Sequence, residues 1–524
     1  MAWSLKNKEG KTLPPLQFSN GKTQEDTVNE IVKAIEDGHR IIILKGICGS
    51  GKSASALNVA KECGRASIVV PVKMLQKQYV EDYTNKLIIE REGKPLSIGV
   101  ITGRNNHLCL YNPTSRADDR LLPCSISIVK ENTDLLKAYM KNNPFLEGEG
   151  PKSVEAMGRL SVAPACPYWS PLMPKEGFNH YSLPDAKKFE YDGVMNKKFI
   201  LYQRKKGCTY YEQFHAYRDA DVIIFNAKKY ELENAMGRKP ATDVEIIDEG
   251  DEFLDNLCNE KVLSISFLHK TVVELSQKCK EAASKIALQD ISDLAGSILS
   301  SRWLQEFIEK KEVVKLDETK IYEIMKILLA NDQLLTYEEL EPYYFIAKHF
   351  EGMFDTTYVA FSKTRKESIL VSIVNINIER KLKELLDKNK VLIFMSGTIQ
   401  STKVLKEIFG LTNFKIIEAE NQHQGTIKKV RTKYEKDFRY RNFESGRVTR
   451  EEYLKALDAA VSAAQLPTLV HVNSFSDLPT EEEKERLGLS VISREKLEDQ
   501  QEKYKKGELL QWFKEGKLKI LYST

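Results

Sequence analysis

Residues 41–53 read Ile-Ile-Ile-Leu-Lys-Gly-Ile-Cys-Gly-Ser-Gly-Lys-Ser. The apolar run Ile41–Leu44 has the pattern of a strand buried on both faces, as in a parallel sheet. The turn that follows, GICGSGKS from Gly46 to Ser53, fits GxxxxGK followed by Ser or Thr. Gly46 and Gly51, with Gly49 between them, let the backbone wrap a phosphate and aim its N–H groups at it. Lys52 is expected to reach the β- and γ-phosphates of a nucleotide and Ser53 to place its hydroxyl on Mg²⁺. Ala54–Lys61 is predicted as the helix that the loop opens, which makes the start of an α/β fold.

Working outward, Val28, Ile31, Val32 and Ile35 recur at helical spacing, so 24–37 is predicted as an amphipathic helix. A second buried strand, Ser67–Val70, ends at Pro71. From about 101 to 214 prolines, glycines, aromatics and cysteines scatter, as expected of an insertion. Buried-strand patterns return at Asp221–Phe225 and Val244–Ile247. The second runs into Asp248-Glu249-Gly250-Asp251, where Asp248 is expected to hold Mg²⁺ through water and Glu249 to act as general base on the attacking water. An acidic turn capping the next helix is the plain alternative. Residues 256–353 read as mostly helical, 357–376 as extended, and Val391–Met395 as a buried strand ending in Ser396-Gly397-Thr398. Beyond about 425 a new α/β unit is predicted, with strands at Thr468–Val472, Leu489–Ile492 and Leu518–Tyr522.

At 524 residues and 42% hydrophobic content the chain can bury three or four domains. Lys+Arg 79 against Asp+Glu 75 leaves a net charge of +4, so any nucleic-acid footprint is local. The N-terminus carries no signal-like apolar region and no stretch reads as a membrane span, which predicts a soluble cytoplasmic protein without a membrane partner. In a prokaryote it would be nucleoid-associated; a nuclear protein is the other possibility.

Eight cysteines in a chain this long do not form a secreted disulfide framework. Cys109, Cys124, Cys166 and Cys208 fall between the two phosphate-site motifs, with 14, 41 and 41 residues in the gaps. Four thiolates ligate either Zn²⁺ or an iron–sulfur cluster, and four ordinary buried thiols are the third reading. Cys48, Cys63, Cys258 and Cys279 read as structural. Residues 187–206 hold seven basic groups (Lys187, Lys188, Lys197, Lys198, Arg204, Lys205 and Lys206), interleaved with Phe189, Tyr191, Phe199 and Tyr202. That composition suits a strand of nucleic acid, with cations on phosphates and aromatic faces on bases, or else a solvated charged face. Lys428–Arg441 is a second basic stretch.

Several segments resemble, in order, those of the XPD/DinG-like iron–sulfur DNA helicases of superfamily 2. They are the P-loop, LQKQ at 75–78, GRNNHLC ending at Cys109, ACPYW around Cys166, GCTYYEQFHAYRDADVIIFNAKKY from Gly207, IIDEGD, MSGTI at 395–399 and TLVHVNSF at 468–475. The resemblance implies two RecA-like motor domains, the first carrying an iron–sulfur insertion and a helical arch. Its divisions would be 1–100, 215–255 and 354–424 for the first motor domain, 101–214 for the cluster domain, 256–353 for the arch and 425–524 for an incomplete second motor domain. It implies ATP, Mg²⁺ and a 4Fe–4S cluster on Cys109, Cys124, Cys166 and Cys208, and single-stranded or forked DNA as partner, travelled 5′ to 3′. Gln24 would touch adenine, a surface residue of the first helix being the plain alternative. Asp251, Ser396, Gly397 and Thr398 would couple hydrolysis to DNA binding, although Asp251 replaces the family's usual His and His107 its usual Tyr. Lys197, Lys198, Tyr202, Arg204, Lys205 and Lys206 are the expected DNA contacts. The family's later glycine–acid and QxxGRxxR motifs are not in this sequence, so weak hydrolysis by this chain alone is expected. A nucleic-acid-binding scaffold that does not unwind, or a zinc-bearing DNA-binding NTPase, are the competing readings.

Overall fold

The structure, a computed structural model, describes residues 3–523 apart from 147, 149, 152, 177–182, 258, 280, 332, 335, 336, 365, 366, 421, 423–427 and 505–507. Two compact units divide it, residues 1–422 and 423–524.

The larger unit is built on a seven-stranded sheet in which every pairing is parallel. Across it the strands run Lys415–Glu418, Ile41–Lys45, Leu392–Ser396, Val244–Asp248, Ala66–Val70, Val222–Asn226 and Ile98–Ile101. Alternate residues feed opposite faces. Ile42, Leu44, Ile68, Val70, Ile246 and Ile393 join one core with Val28 and Ile31 of the helix Gln24–Glu36 and Leu57 of the helix Lys52–Cys63. Ile41, Ile43, Val69, Ile247 and Phe394 join the other, together with Phe253, Leu382 and the aromatic interior of the cysteine-bearing insertion. Coverage on both faces is why these strands are mostly apolar.

The first insertion leaves the sheet after Ile101 and returns before Val222. It carries a three-stranded antiparallel sheet with Lys198–Gln203 between Leu172–Pro174 and Lys187–Asp192. The second leaves after Asp248 and returns before Leu392. Here the structure departs from the expected division at 354. Thr357–Lys363 and Ile369–Asn375 do not belong to the parallel sheet; they form an antiparallel sheet with Asn259–Ser264 and Val313–Lys315. Val359, Val371 and Ile373 pack beneath the helices Ile265–Lys278, Ala282–Leu299 and Lys320–Ala330 in one core. The second insertion is therefore helices on a sheet.

In the smaller unit Thr468–His471 pairs in parallel with Ile520–Ser523. The strand expected at Leu489–Ile492 is not formed. The Asp458 carboxylate accepts the backbone N–H groups of Ser490 (2.7 Å) and Val491 (2.8 Å), leaving them no ladder to donate to. The Val491 side chain is still buried, with Leu454, Leu478 and Leu497. Among the described residues no helix is long and apolar enough to cross a membrane.

Among the described residues, one ion pair lies wholly inside the larger unit. Lys239 Nζ is 2.7 Å from Glu245 of the strand Val244–Asp248, and it also donates to Thr242 Oγ1 at 2.9 Å and Pro240 O at 3.0 Å. Removing one member leaves an uncompensated buried charge, a loss of about 3–5 kcal/mol. Lys239→Met should lower stability by about that amount, and adding Glu245→Leu should recover most of it. Urea unfolding midpoints of the single and double variants check this.

Candidate functional site

The in-register pairing of three strands assembles the site. Leu44 lies beside Met395, and Met395 beside Asp248. The P-loop, Ser396-Gly397-Thr398 and the acidic motif therefore leave the sheet at one edge, its carboxyl end, which is where ligands bind in open α/β sheets.

The P-loop is stitched to its neighbours. Gly46 N–H donates to Ser396 O (3.1 Å) and Ile47 N–H to Glu420 O (3.0 Å). A Cβ on Gly46 would sit 3.0 Å from Ser50 Oγ, and Gly49 and Gly51 have φ of 85° and 73°, the left-handed region that favours glycine. Lys52 is buried on the loop's inner side and donates to Gly46 O at 3.0 Å. Gly397 rests against Gly46 and Ile47, with the nearest backbone atom 3.4 Å from where its Cβ would lie.

Asp248 is buried at its strand's end, and burial raises its pKa against the opposing pull of Lys52 and the Tyr79 hydroxyl. Tyr79 donates to Asp248 Oδ2 at 3.2 Å, and Ser53 is near enough to oppose the rise of the Tyr79 pKa. Tyr79 thus stands near both groups expected to hold Mg²⁺. Its own pKa is driven well above normal by burial and by Asp248, so it remains a donor. Sequence reasoning missed Tyr79. The signal was its position directly after LQKQ, on the buried side of the helix Lys73–Tyr83 with Gln76. Hydroxyl and carboxylate oxygens suit a hard cation such as Mg²⁺.

Glu249 has left-handed backbone, φ 50° and ψ 55°, and precedes the helix Gly250–Asn256. Burial pushes its carboxyl up; Lys52 opposes this, while Asp248 and Asp251 reinforce it. A carboxylate raised in this way is the better proton acceptor. Asp251 goes the other way. Burial pushes its pKa up, but the hydroxyls of Thr398 and Ser396 both donate to it and hold it below the usual value. Ser396 Oγ is 2.7 Å away, and Gln400 Nε2 donates to Asp251 O at 3.2 Å. The carboxylate standing where a His was expected is thus a two-hydroxyl acceptor, joining the acidic motif to the 396–398 segment.

Gln24 lies against the P-loop. It is 2% exposed and holds the P-loop, donating to Ser50 O and Gly51 O, each at 3.2 Å.

The cysteines Cys109, Cys166 and Cys208 are buried and Cys124 is half-buried. Burial pushes the Cys166 thiol up to about 12, and Cys124, Cys208 and Cys109 press it the same way. Cys208 is raised by burial and likewise by Cys124 and Cys109. The four thiols therefore share one neighbourhood. Among the described residues, however, no group of three or more His, Cys, Asp or Glu side chains is arranged to hold a metal ion. The donor chemistry suits a group that takes thiolates. Asn112 N–H points at Cys109 Sγ (3.3 Å) and Arg104 Nη1 at Cys124 Sγ (3.4 Å). His107 bridges Thr102 and Thr209, at 2.8 Å on each ring nitrogen, and so ties the segments bearing Cys109 and Cys208. Of the four cysteines read as structural, Cys279 is buried, Cys63 half-buried and Cys48 exposed; Cys258 lies outside the described residues.

Two of the expected DNA contacts are corrected. Tyr202 is 3% exposed in the insertion core, alongside Tyr191 and Phe199, so none of these rings is free to stack on a base. Arg204 is 8% exposed, and its guanidinium donates to Cys166 O (2.8 Å), Pro164 O (3.0 Å) and Asp185 (3.0 Å), bracing the Cys166 loop. Lys197, Lys198, Lys205 and Lys206 are exposed.

A family model described as Type III restriction enzyme, res subunit, matches residues 17–139. None of the curated proteins matches the chain in sequence. Solved structures similar to it include one titled XPD_Helicase (15% identity, TM-score 0.44, 95% of this chain and 79% of that one). Another is titled Truncated XPD (17%, 0.38, 74% and 98%). A third is Xpd4 of S. tokodaii (12%, 0.46, 95% and 80%).

Replacing Tyr79 by Phe removes the donor behind Asp248 while keeping the ring. Loss of such a supporting hydrogen bond typically costs 10- to 100-fold in metal affinity. Tyr79→Phe should raise the Mg²⁺ concentration for half-maximal nucleotide binding by about tenfold or more, read by titrating Mg²⁺ at fixed nucleotide.

Proposed function

We propose that this chain is an ATP-driven helicase or translocase acting on single-stranded or forked DNA. The observation that carries the reading is the meeting, at one sheet edge, of the P-loop, the carboxylates Asp248 and Glu249, and the Asp251–Ser396–Thr398 contact. The match of residues 17–139 to a restriction-enzyme subunit supports a nucleic-acid partner.

In this reading the P-loop amides and Lys52 bind the triphosphate. Ser53 and Asp248 would hold Mg²⁺, which when bound supplies charge neutralisation at the phosphates. Glu249 takes the proton of the water that attacks the γ-phosphorus as the bond to ADP breaks, a role its raised pKa favours. Asp251 passes the state of that site to Ser396 and Thr398. Lys197, Lys198, Lys205 and Lys206 would track the strand's phosphates by charge alone, with salt-dependent affinity.

Cys109, Cys124, Cys166 and Cys208 would hold a 4Fe–4S cluster, which when bound supplies a rigid cross-link between distant stretches of the insertion. Cys109 and Cys124 already receive N–H donors, and Arg204 and His107 hold the loops that carry the other two.

Strand displacement on a forked duplex with ATP and Mg²⁺ tests the motor. Weak, ATP-dependent unwinding by the wild type and none by Lys52→Ala is the expected result, whereas nucleotide-independent unwinding counts against it. Anaerobic purification tests the cluster. A brown protein with iron and acid-labile sulfide is expected, with both lost in Cys166→Ser; a colourless protein carrying zinc would refute the assignment.

A further inference from the structure

We infer that Glu420 is a positioning residue, a buried clasp that fixes the end of the larger unit beside the P-loop and so carries the loop's state to the chain that enters the smaller unit. The inference rests on the motor reading above and adds a coupling route to the one through Asp251, Ser396 and Thr398.

Lys415–Glu418 is the outermost strand of the parallel sheet, with Ile416 beside Ile43 and Glu418 beside Lys45 of the P-loop strand. The contact runs on past the strand's end. Ala419 N–H donates to Lys45 O at 2.8 Å, and Ile47 N–H to Glu420 O at 3.0 Å. A Cβ on Gly46 would lie 3.2 Å from Ala419 Cβ. Residues 419–420 therefore wall the first residues of the P-loop. The larger unit ends two residues later, at Gln422.

Glu420 is 5% exposed, and a carboxylate taken out of water is costly unless donors surround it. Ser19 supplies two donors, its N–H at 2.7 Å from Oε2 and its hydroxyl at 2.5 Å from Oε1. Gln422 N–H adds a third, 2.8 Å from Oε1. Hydrogen bonds to an ionised acceptor are roughly twice as strong as neutral ones. The two sides of the clasp differ. Ser19 belongs to a closed turn, in which Phe18 N–H donates to Lys22 O (2.7 Å) and Gly21 N–H to Phe18 O (3.0 Å). The Phe18 ring shares a core with Ile417 and Ala419, and Asn20 Nδ2 donates to Ala419 O at 3.3 Å. Gln422 is exposed and is the last residue before the smaller unit. One carboxylate thus joins a fixed turn to the root of the connecting chain, at the level of the P-loop. A connecting chain passes on a displacement only if its root moves with the site, and the clasp makes it do so.

Amide hydrogen exchange of the full chain, together with strand displacement per ATP hydrolysed on a forked duplex, tests the inference. The Ser19 and Gln422 amides should be protected in the wild type, and Glu420→Ala should speed exchange at both by about tenfold or more. The Ile47 amide, whose acceptor is a backbone carbonyl, should keep its protection. Displacement per ATP should fall about tenfold in Glu420→Ala, inside the roughly 5- to 150-fold span of coupling between sites. Glu420→Gln, which keeps one acceptor oxygen, should free only one of the two amides and restore part of the coupling. Unchanged exchange at both amides, or displacement and hydrolysis falling in equal proportion, overturns the inference. Should Glu420→Ala not fold, the near-isosteric Glu420→Gln and the single-donor loss Ser19→Ala decide by the same two measurements. A wild type that displaces no strand with ATP sinks the motor reading instead, and the exchange result then decides the clasp alone.

Discussion

Everything proposed for this molecule depends on the register of three adjacent parallel strands. Ile41–Lys45, Leu392–Ser396 and Val244–Asp248 are aligned so that Leu44, Met395 and Asp248 form one row. The alignment is enforced from both faces, because alternate residues are committed to different cores. A slip of one residue would move Ile43 into the core that Ile42 fills, and would carry Asp248 off the P-loop's level. Hydrophobic burial thus sets, at a distance, where carboxylates and hydroxyls stand.

Local stability is given up at the place this alignment serves. Asp248 is an acid in a buried position, and Glu249 holds left-handed backbone, which costs a non-glycine residue about 1–2 kcal/mol. Gly250 makes the bend possible. A Cβ there would come within 2.9 Å of Phe394 Cβ and 3.3 Å of its Cα, so the helix Gly250–Asn256 closes on the neighbouring strand only without a side chain. The acidic motif is therefore DEGD for two reasons: glycine permits the close approach, and Asp251 offers both oxygens to Ser396 and Thr398. Such local departures from stable geometry gather at functional sites.

The strands of the parallel sheet were readable because burial on both faces leaves apolar runs such as IIIL, or VEII with its one buried, paired Glu245. Residues 357–376 were readable as extended but not as to partner. Their burial alternates along Ile369–Asn375, the mark of a one-sided antiparallel sheet, yet Leu370 and Val374 on the open side are themselves apolar and blur it. The basic, aromatic stretch 187–206 misled because composition does not say which way a side chain points. In Lys198–Gln203 the strand turns Phe199 and Tyr202 inward and keeps Lys198 outward. Tyr79 and Arg204 were out of reach for another reason. Each acts on a partner far away in sequence, Asp248 for one and the Cys166 loop for the other, and no local pattern announces such a contact.

The strand order has a consequence for how the chain is made. Ile41–Lys45 pairs only with Leu392–Ser396 and Lys415–Glu418, both encoded some 350 residues later than the P-loop strand. At about 5–20 residues per second, the ribosome takes roughly 20–70 s to supply the first of these partners. Throughout that interval a strand apolar from Ile41 to Leu44 has two unpaired edges, an invitation to associate with other nascent chains. The two insertions lengthen the wait, so the segments that equip the site also make its founding strand the last in the sheet to find its neighbours.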